Sequence, residues 1–406
     1  MTLVDLQTVR AAHERIKSQV RHTPVRKSQS LAALTGASAF HLKMENFQLT
    51  GSFKVRGALN KIQSLSAAER AKGVVAASAG NHAQGVAYAA RQAGVACDIF
   101  MPEEASIAKV AATKGYGARV HLKGRDYQEA FEHASRYAAE KGACYVHAFD
   151  DDAVLAGQGT IGLELLADIP NLDTVLIPIG GGGLISGIAT ALKGINPKIR
   201  VIGVQAAGAS TIAPSLQKGS PVTLDHAETM ADGIAVRKVG ATTWKHIQAH
   251  VDEVVTVEEP EIAAAILHLL ERAKVVAEGA GAVALAAAMH HKVDLKGRTV
   301  ACLVSGGNID LTLVNRILRQ GLVKEGRVAV IEAEISDRPG SLATFLQLLG
   351  KHKASVIDLH HDRDRLDLSL NRTGVEVHVE TRGPEHIAEL RRVLRDANYK
   401  ATINGS

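Results

Sequence analysis

Lys54 lies in the run Thr50-Gly51-Ser52-Phe53-Lys54-Val55-Arg56-Gly57, where glycine and serine turn the chain just ahead of a helical stretch. Taken alone, such a lysine is a solvated cation beside Arg56. The first turn of a helix repels positive charge, however, and partial burial there lowers an amine's pKa. A neutral amine is a nucleophile suited to forming a Schiff base with a carbonyl group. A second run, Gly180-Gly181-Gly182-Gly183-Leu184, joins an apolar strand candidate to a helical pattern. A tight turn accounts for one or two glycines. Four in succession leave bare backbone N–H groups at a helix start, a cradle for phosphate. Dinucleotide binding fits less well: Ile185 or Ser186 stands where G-x-G-x-x-G needs its third glycine, and Gln205 ends the next strand in place of an acid. A third set, Ser78-Ala79-Gly80-Asn81-His82 and Ser305-Gly306-Gly307-Asn308, follows two more strand candidates. Each by itself reads as a turn. At strand ends they would share one crevice with the glycine run, where hydroxyls and amides bind a carboxylate or a ring nitrogen. His82 reads as a hydrogen-bonded helix-start histidine before it reads as a base.

Other chemistries find no support. H-E-x-x-H, G-x-S-x-G and EF-hand patterns are absent. Cys97, Cys144 and Cys302 lie far apart, which argues against a disulfide framework or a zinc site. Glu103-Glu104 and Asp151-Asp152 read as solvated loop charge. The net charge of +5 is spread without a basic run, and aromatics are only 3% of residues, so nucleic acid is not an expected partner. The uncharged run Thr174 to Leu192 is broken by Pro178 and the glycines, so no membrane span is expected. Asp5 interrupts any apolar leader, and a cytoplasmic location is expected.

The elements that must position these residues alternate between short apolar runs and helical patterns, the mark of a parallel α/β sheet. Strands are expected at 73–77, 97–101, 175–179, 201–204 and 299–304, with a helix through 83–90. Open sheets of this kind bind ligands at the carboxyl ends of their strands. The 406 residues allow two or three domains, and near 325 the rhythm changes. Arg327 to Ile335 alternates as a strand, and Leu342, Phe345, Leu346 and Leu349 share one helix face. Strands at 355–359 and 374–379, a helix through Ile387 to Leu394 and a strand at 400–403 complete a βαββαβ ferredoxin-like unit. The short run Lys324-Glu325-Gly326 reads as the linker.

The run Lys43-Met44-Glu45-Asn46-Phe47-Gln48-Leu49, followed by Thr50 to Gly57, resembles the lysine motif of the threonine/serine dehydratases. These belong to the tryptophan-synthase-β-like (fold type II) pyridoxal-phosphate enzymes. Ser78 to His82, the tetraglycine run, Glu278-Gly279-Ala280-Gly281 and Ser305 to Asn308 match the same family in the same order, over about residues 5–320. Residues 327–402 resemble an ACT-type regulatory domain, with Asp337-Arg338-Pro339-Gly340-Ser341-Leu342 matching its strand–helix turn. The resemblance implies a two-lobed α/β catalytic core over 1–325, its small lobe (about 45–145) inserted in the large one, and an ACT-like domain over 326–406.

It further implies that Lys54 is the catalytic residue and holds pyridoxal 5′-phosphate through an imine, with Phe53 packed beside the ring. Gly180, Gly181, Gly182, Gly183 and Leu184 would bind the phosphate, Asn81 the ring hydroxyl and Ser305 the ring nitrogen, with Glu278 near the ring. Ser78, Ala79, Gly80, Asn81 and His82 would form the substrate site, Ser78 and His82 flanking the carboxylate. The implied activity is threonine ammonia-lyase, a carbon–nitrogen lyase yielding 2-oxobutanoate and ammonia, with serine as a further substrate. A serine or 3-hydroxyaspartate ammonia-lyase or racemase, or a non-catalytic amino-acid sensor, are the alternatives. Two departures bear on these. Ala79 stands where serine racemases of the family place an acid-donating serine. Gln205 lies near the strand end at which some members hold a divalent ion through a glutamate; a neutral amide is a weaker ligand, so no metal is expected there, a monovalent ion remaining open. The ACT-like segment implies an amino-acid effector such as isoleucine or valine, and a homo-oligomer, a tetramer by first expectation.

Overall fold

The computed structural model describes residues 3–404. The chain splits into two compact units, 1–309 and 310–406. The division therefore falls ahead of the helix Leu311–Lys324, whereas the linker reading placed it at 325/326. That helix is tied to the strand after it: Arg327 N–H donates to Leu322 O at 2.8 Å and Gly326 N–H to Val323 O at 2.9 Å.

The first unit carries two sheets. The larger has six strands in the order Val25–Lys27, Ala39–Met44, Thr299–Val304, Thr174–Pro178, Arg200–Ala206 and Glu253–Val257. Only the first pairing is antiparallel. The smaller is a four-stranded parallel sheet ordered Arg119–Leu122, Cys97–Met101, Val74–Ala77 and Cys144–Tyr145. Its central strands are buried throughout, as mostly apolar runs covered on both faces should be, with the one charge, Asp98, paired to Arg119 at 2.6 Å. Helices Lys54–Ser64 and Asn81–Ala93 pack against this sheet through Val55, Leu59, Ile62 and Val86. The architecture is the expected two-lobed α/β core.

Three helices meet almost backbone to backbone. A Cβ on Gly57 of helix Lys54–Ser64 would stand 2.8 Å from Val154 O, in helix Asp152–Asp168. One on Gly157 would lie 2.7 Å from Arg56 O. On the other side of the same helix, a Cβ on Gly159 would lie 2.7 Å from Gly187 O, and one on Gly187 of helix Gly183–Ile195 would lie 2.2 Å from Leu155 O. The helix behind Lys54 and the helix behind the glycine run are thus seated against opposite faces of a common third.

The second unit is a βαββαβ fold with one antiparallel sheet, ordered Ser355–Asp362, Arg372–Glu380, Val328–Ser336 and Lys400–Asn404. Helices Ser341–Lys351 and Pro384–Asp396 cover it, with Phe345, Leu349, Ile387 and Leu390 buried against Val377 and Val379. No helix among the described residues is long and apolar enough to cross a membrane.

Candidate active site

Helix Lys54–Ser64 begins at the lysine itself, straight after a turn in which Gly51 adopts φ +76°. Phe53 N–H donates to Ser305 O at 3.1 Å, and Ser52 bridges to Gly306, so the lysine motif is stitched to the Ser305 turn. Lys54 Nζ donates to Ala148 O at 3.0 Å and stands 5.1 Å from the centre of the Phe53 ring. Burial lowers its pKa to about 8, partly opposed by the charge of Glu278.

The amine opens into a pocket whose empty space, open mouth included, is about 430 Å³. Phe53, Lys54, Asn81, Gly180, Gly181, Gly182, Gly183, Leu184, Glu278 and Ser305 all line it, together with Phe149, Gly233, Ile234 and Ala280. The glycine run leads from strand Thr174–Pro178 into helix Gly183–Ile195, with Gly182 at φ +94° as its N-cap. Among the described residues, no acceptor meets the N–H groups of Gly180 to Leu184. Their carbonyl side is anchored instead: Thr243 Oγ1 donates to Gly181 O at 2.7 Å, and Gly240 N–H to the same oxygen at 3.3 Å. Free amides at a helix start, with the lysine beside them in one pocket, fit an aldehyde that carries a phosphate.

Asn81 opens helix Asn81–Ala93 and reaches across to the large lobe. Its Nδ2 donates to Glu278 Oε1 at 2.6 Å, and its Oδ1 accepts from Asn308 Nδ2 at 2.7 Å. Asn308 Nδ2 also donates to Thr50 O at 2.8 Å. Glu278 is only 4% exposed, and burial, reinforced by the charge of Asp232, raises its pKa to about 7. Ser305 Oγ donates to Ala280 O at 3.1 Å and lines the same pocket.

Of the substrate-site candidates, Ser78, Ala79 and Gly80 are half-buried immediately before Asn81, and Gly80 N–H donates to Ser78 Oγ at 3.2 Å. His82 is buried, its Nε2 donates to Val146 O at 2.9 Å, and burial drives its pKa down to about 3. Its imidazole is neutral, with Nε2 held by the backbone behind the turn. Gln205, also buried, has its Oε1 taken by Ile212 N–H at 2.9 Å, and its Nε2 donates to Thr211 Oγ1 at 3.1 Å.

One reading changes and one neighbour comes into view. Arg56, beside the lysine, is 0% exposed, bound by Glu45 at 2.8 Å and Glu164 at 2.7 Å, while Lys43 Nζ binds Glu164 at 2.6 Å. A charge this deep is tolerated only because carboxylates surround it. Asp151-Asp152 is not mere loop charge. Asp151 caps helix Asp152–Asp168 through Ala153 and Val154 N–H and pairs with Lys61 at 2.5 Å. Asp150, just before it, caps helix Ala241–His250 by accepting from Ala241, Thr242 and Thr243 N–H. The contribution of Phe149 to the pocket was likewise missed; only its place among site-proximal turns hinted at it.

Comparison with known proteins agrees with this geometry. Residues 16–306 match the family described as pyridoxal-phosphate dependent enzyme. L-threonine ammonia-lyase of Thermotoga maritima is 46% identical over 403 residues, 99% of this chain and all of that one. Maize serine racemase superposes with a TM-score of 0.75 at 36% identity, covering 79% of this chain and 98% of that one. The processed form of threonine deaminase isoform 2 from Solanum lycopersicum superposes with a TM-score of 0.74 at 36% identity, covering 77% and 86%. With its lysine, its free glycine amides and this match over most of its length, the chain belongs to the pyridoxal-phosphate-dependent enzymes of fold type II.

Proposed function

We propose that this protein is a threonine ammonia-lyase that converts L-threonine to 2-oxobutanoate and ammonia and also accepts L-serine. The observation that carries the reading is the meeting, in one pocket, of a lysine amine with a pKa near 8 and the unpartnered amides of Gly180 to Leu184. The full-length likeness to a curated L-threonine ammonia-lyase supports the substrate.

Lys54 Nζ would hold the cofactor, with the glycine amides available to its phosphate, Ser305 to its ring nitrogen, and Phe53, Asn81 and Glu278 to its ring. Bound pyridoxal phosphate supplies an electron sink for the pair left at Cα when its proton departs. The lowered pKa of Lys54 gives a useful neutral fraction at physiological pH, so Nζ can take the α-proton. Ser305 is a neutral partner and leaves the sink weak, which favours elimination of the β-hydroxyl over slower alternatives. The backbone and hydroxyl of Ser78 to Gly80 orient the substrate carboxylate. Ala79 has no proton to offer at the opposite face of Cα, which disfavours racemisation despite the likeness to a serine racemase.

The purified protein should absorb in the near-ultraviolet to blue, borohydride should fix the cofactor on Lys54, and Lys54→Ala should abolish turnover. Absence of 2-oxobutanoate from threonine would overturn the assignment. The βαββαβ unit supports a second part of the proposal, that it senses an amino acid and helps assemble a homo-oligomer. Removing residues from Asp310 onward should abolish any response to isoleucine or valine while turnover persists. An unchanged response would refute the sensing role.

A further inference from the structure

One short segment touches Lys54, the glycine run and the His82 end of the Ser78–His82 turn. Val146 O accepts from His82, behind the Ser78–His82 turn, at 2.9 Å. Ala148 O accepts from Lys54 Nζ at 3.0 Å. The Phe149 ring lies under the glycine run so closely that a Cβ on Gly181 would come within 2.2 Å of it. Asp150 caps the helix whose Thr243 holds Gly181 O. What shapes this segment is a single acceptor. His147 Nδ1 takes the N–H of Asp150 at 2.8 Å and of Phe149 at 3.3 Å, and its ring stands edge-on to Phe149 at 4.7 Å. An Nδ1 that accepts carries no proton, so the neutral imidazole has its hydrogen on Nε2. Burial holds its pKa below the ordinary histidine value, which preserves that acceptor.

We propose that His147 is a positioning residue that, through Nδ1, folds the Ala148–Asp150 turn and thereby sets both the carbonyl facing Lys54 and the ring supporting the phosphate cradle. The inference rests on the reading that Lys54 and Gly180 to Leu184 hold pyridoxal phosphate.

The test is titration of the apoprotein with pyridoxal phosphate, followed by absorbance, on His147→Asn and His147→Phe. Asparagine places Oδ1 where Nδ1 stood and keeps an acceptor; phenylalanine keeps the ring and loses it. His147→Phe should bind the cofactor at least about tenfold more weakly, as loss of two backbone hydrogen bonds implies, with His147→Asn within about threefold of the parent. Normal affinity in His147→Phe overturns the proposal, as does an equal loss in both variants, since the acceptor would then be irrelevant. Nitrogen NMR of the imidazole in the unmodified holoenzyme is an independent check. A hydrogen on Nε2 supports the role and one on Nδ1 excludes it. A parent protein that takes up no cofactor fails separately, sinking the proposed function itself.

Discussion

Replacing Lys54 by methionine should make the cofactor-free protein more stable at neutral pH, although it destroys catalysis. Lys54 sits in the pocket with its pKa lowered from 10.5 to about 8, chiefly by burial. That drop corresponds to about 3 kcal/mol, and partial access to solvent at the pocket mouth trims it to about 2–3 kcal/mol. The sign follows from proton counting. Between pH 8 and 10.5 the folded protein binds fewer protons at this site than the unfolded chain, so stability rises with pH across that window. Below pH 8 the amine is charged in both states and the penalty is complete; above 10.5 it vanishes. Methionine has similar length and no charge. Urea unfolding of both apoproteins from pH 7 to 11 should show the variant ahead by about 2–3 kcal/mol at pH 7, the gap closing as pH passes 10.5. Other lysines and tyrosines titrate in both proteins and cancel. A gap that is absent at pH 7, or constant with pH, refutes the argument that burial weakens this amine.

Further outcomes follow from the same geometry. Arg56→Met leaves Glu45 in the interior without its cation, while Glu164 keeps Lys43, and should cost about 3–5 kcal/mol, read as a lower urea midpoint. Glu278 has its pKa raised to about 7, so its folded form holds a proton that the unfolded chain has released. Stability at this site therefore falls as pH rises from 4.5 through 7, and Glu278→Gln should remove that fall, about 3 kcal/mol across the window, in urea unfolding of the apoprotein. Gly181→Ala drives a methyl into the Phe149 ring and should weaken pyridoxal phosphate binding at least about tenfold in an absorbance titration.

Much of this molecule was legible before any coordinate was seen. Strands Cys97–Met101 and Thr299–Val304 match their expected limits because a strand buried on both faces writes itself as a short, mostly apolar run, broken in the first only by Asp98, which pairs with Arg119. Lys54, Asn81, Glu278, Ser305 and the glycine run were legible because each comes from a short motif at a strand end or helix start, whereas Phe149, Gly233 and Ile234 of the same pocket belong to no such motif. Arg56 was not. Its partners are Glu45, 11 residues before it, and Glu164, 108 residues after it, and no local pattern reveals such a distant carboxylate. The segment from Val146 to Asp151 stayed hidden for a similar reason. Two of its contacts are made by the carbonyls of Val146 and Ala148, which no residue type marks, and His147, Phe149 and Asp150 form no recognisable motif, its acidic side chains looking like ordinary surface charge. The limits of the second unit were blurred because the helix Leu311–Lys324 buries only Ile317 and leaves few apolar marks of where it belongs.

The glycines at 57, 157, 159 and 187 make the span from amine to anion cradle a matter of main chain resting on main chain. A ruler built that way does not stretch when neighbouring side chains are exchanged. Under the proposed function, engineering of substrate choice is therefore freest around Ser78 to Gly80, where even a side chain at Gly80 would meet nothing within 4 Å, so new shapes can be tried without moving Lys54 relative to the glycine amides.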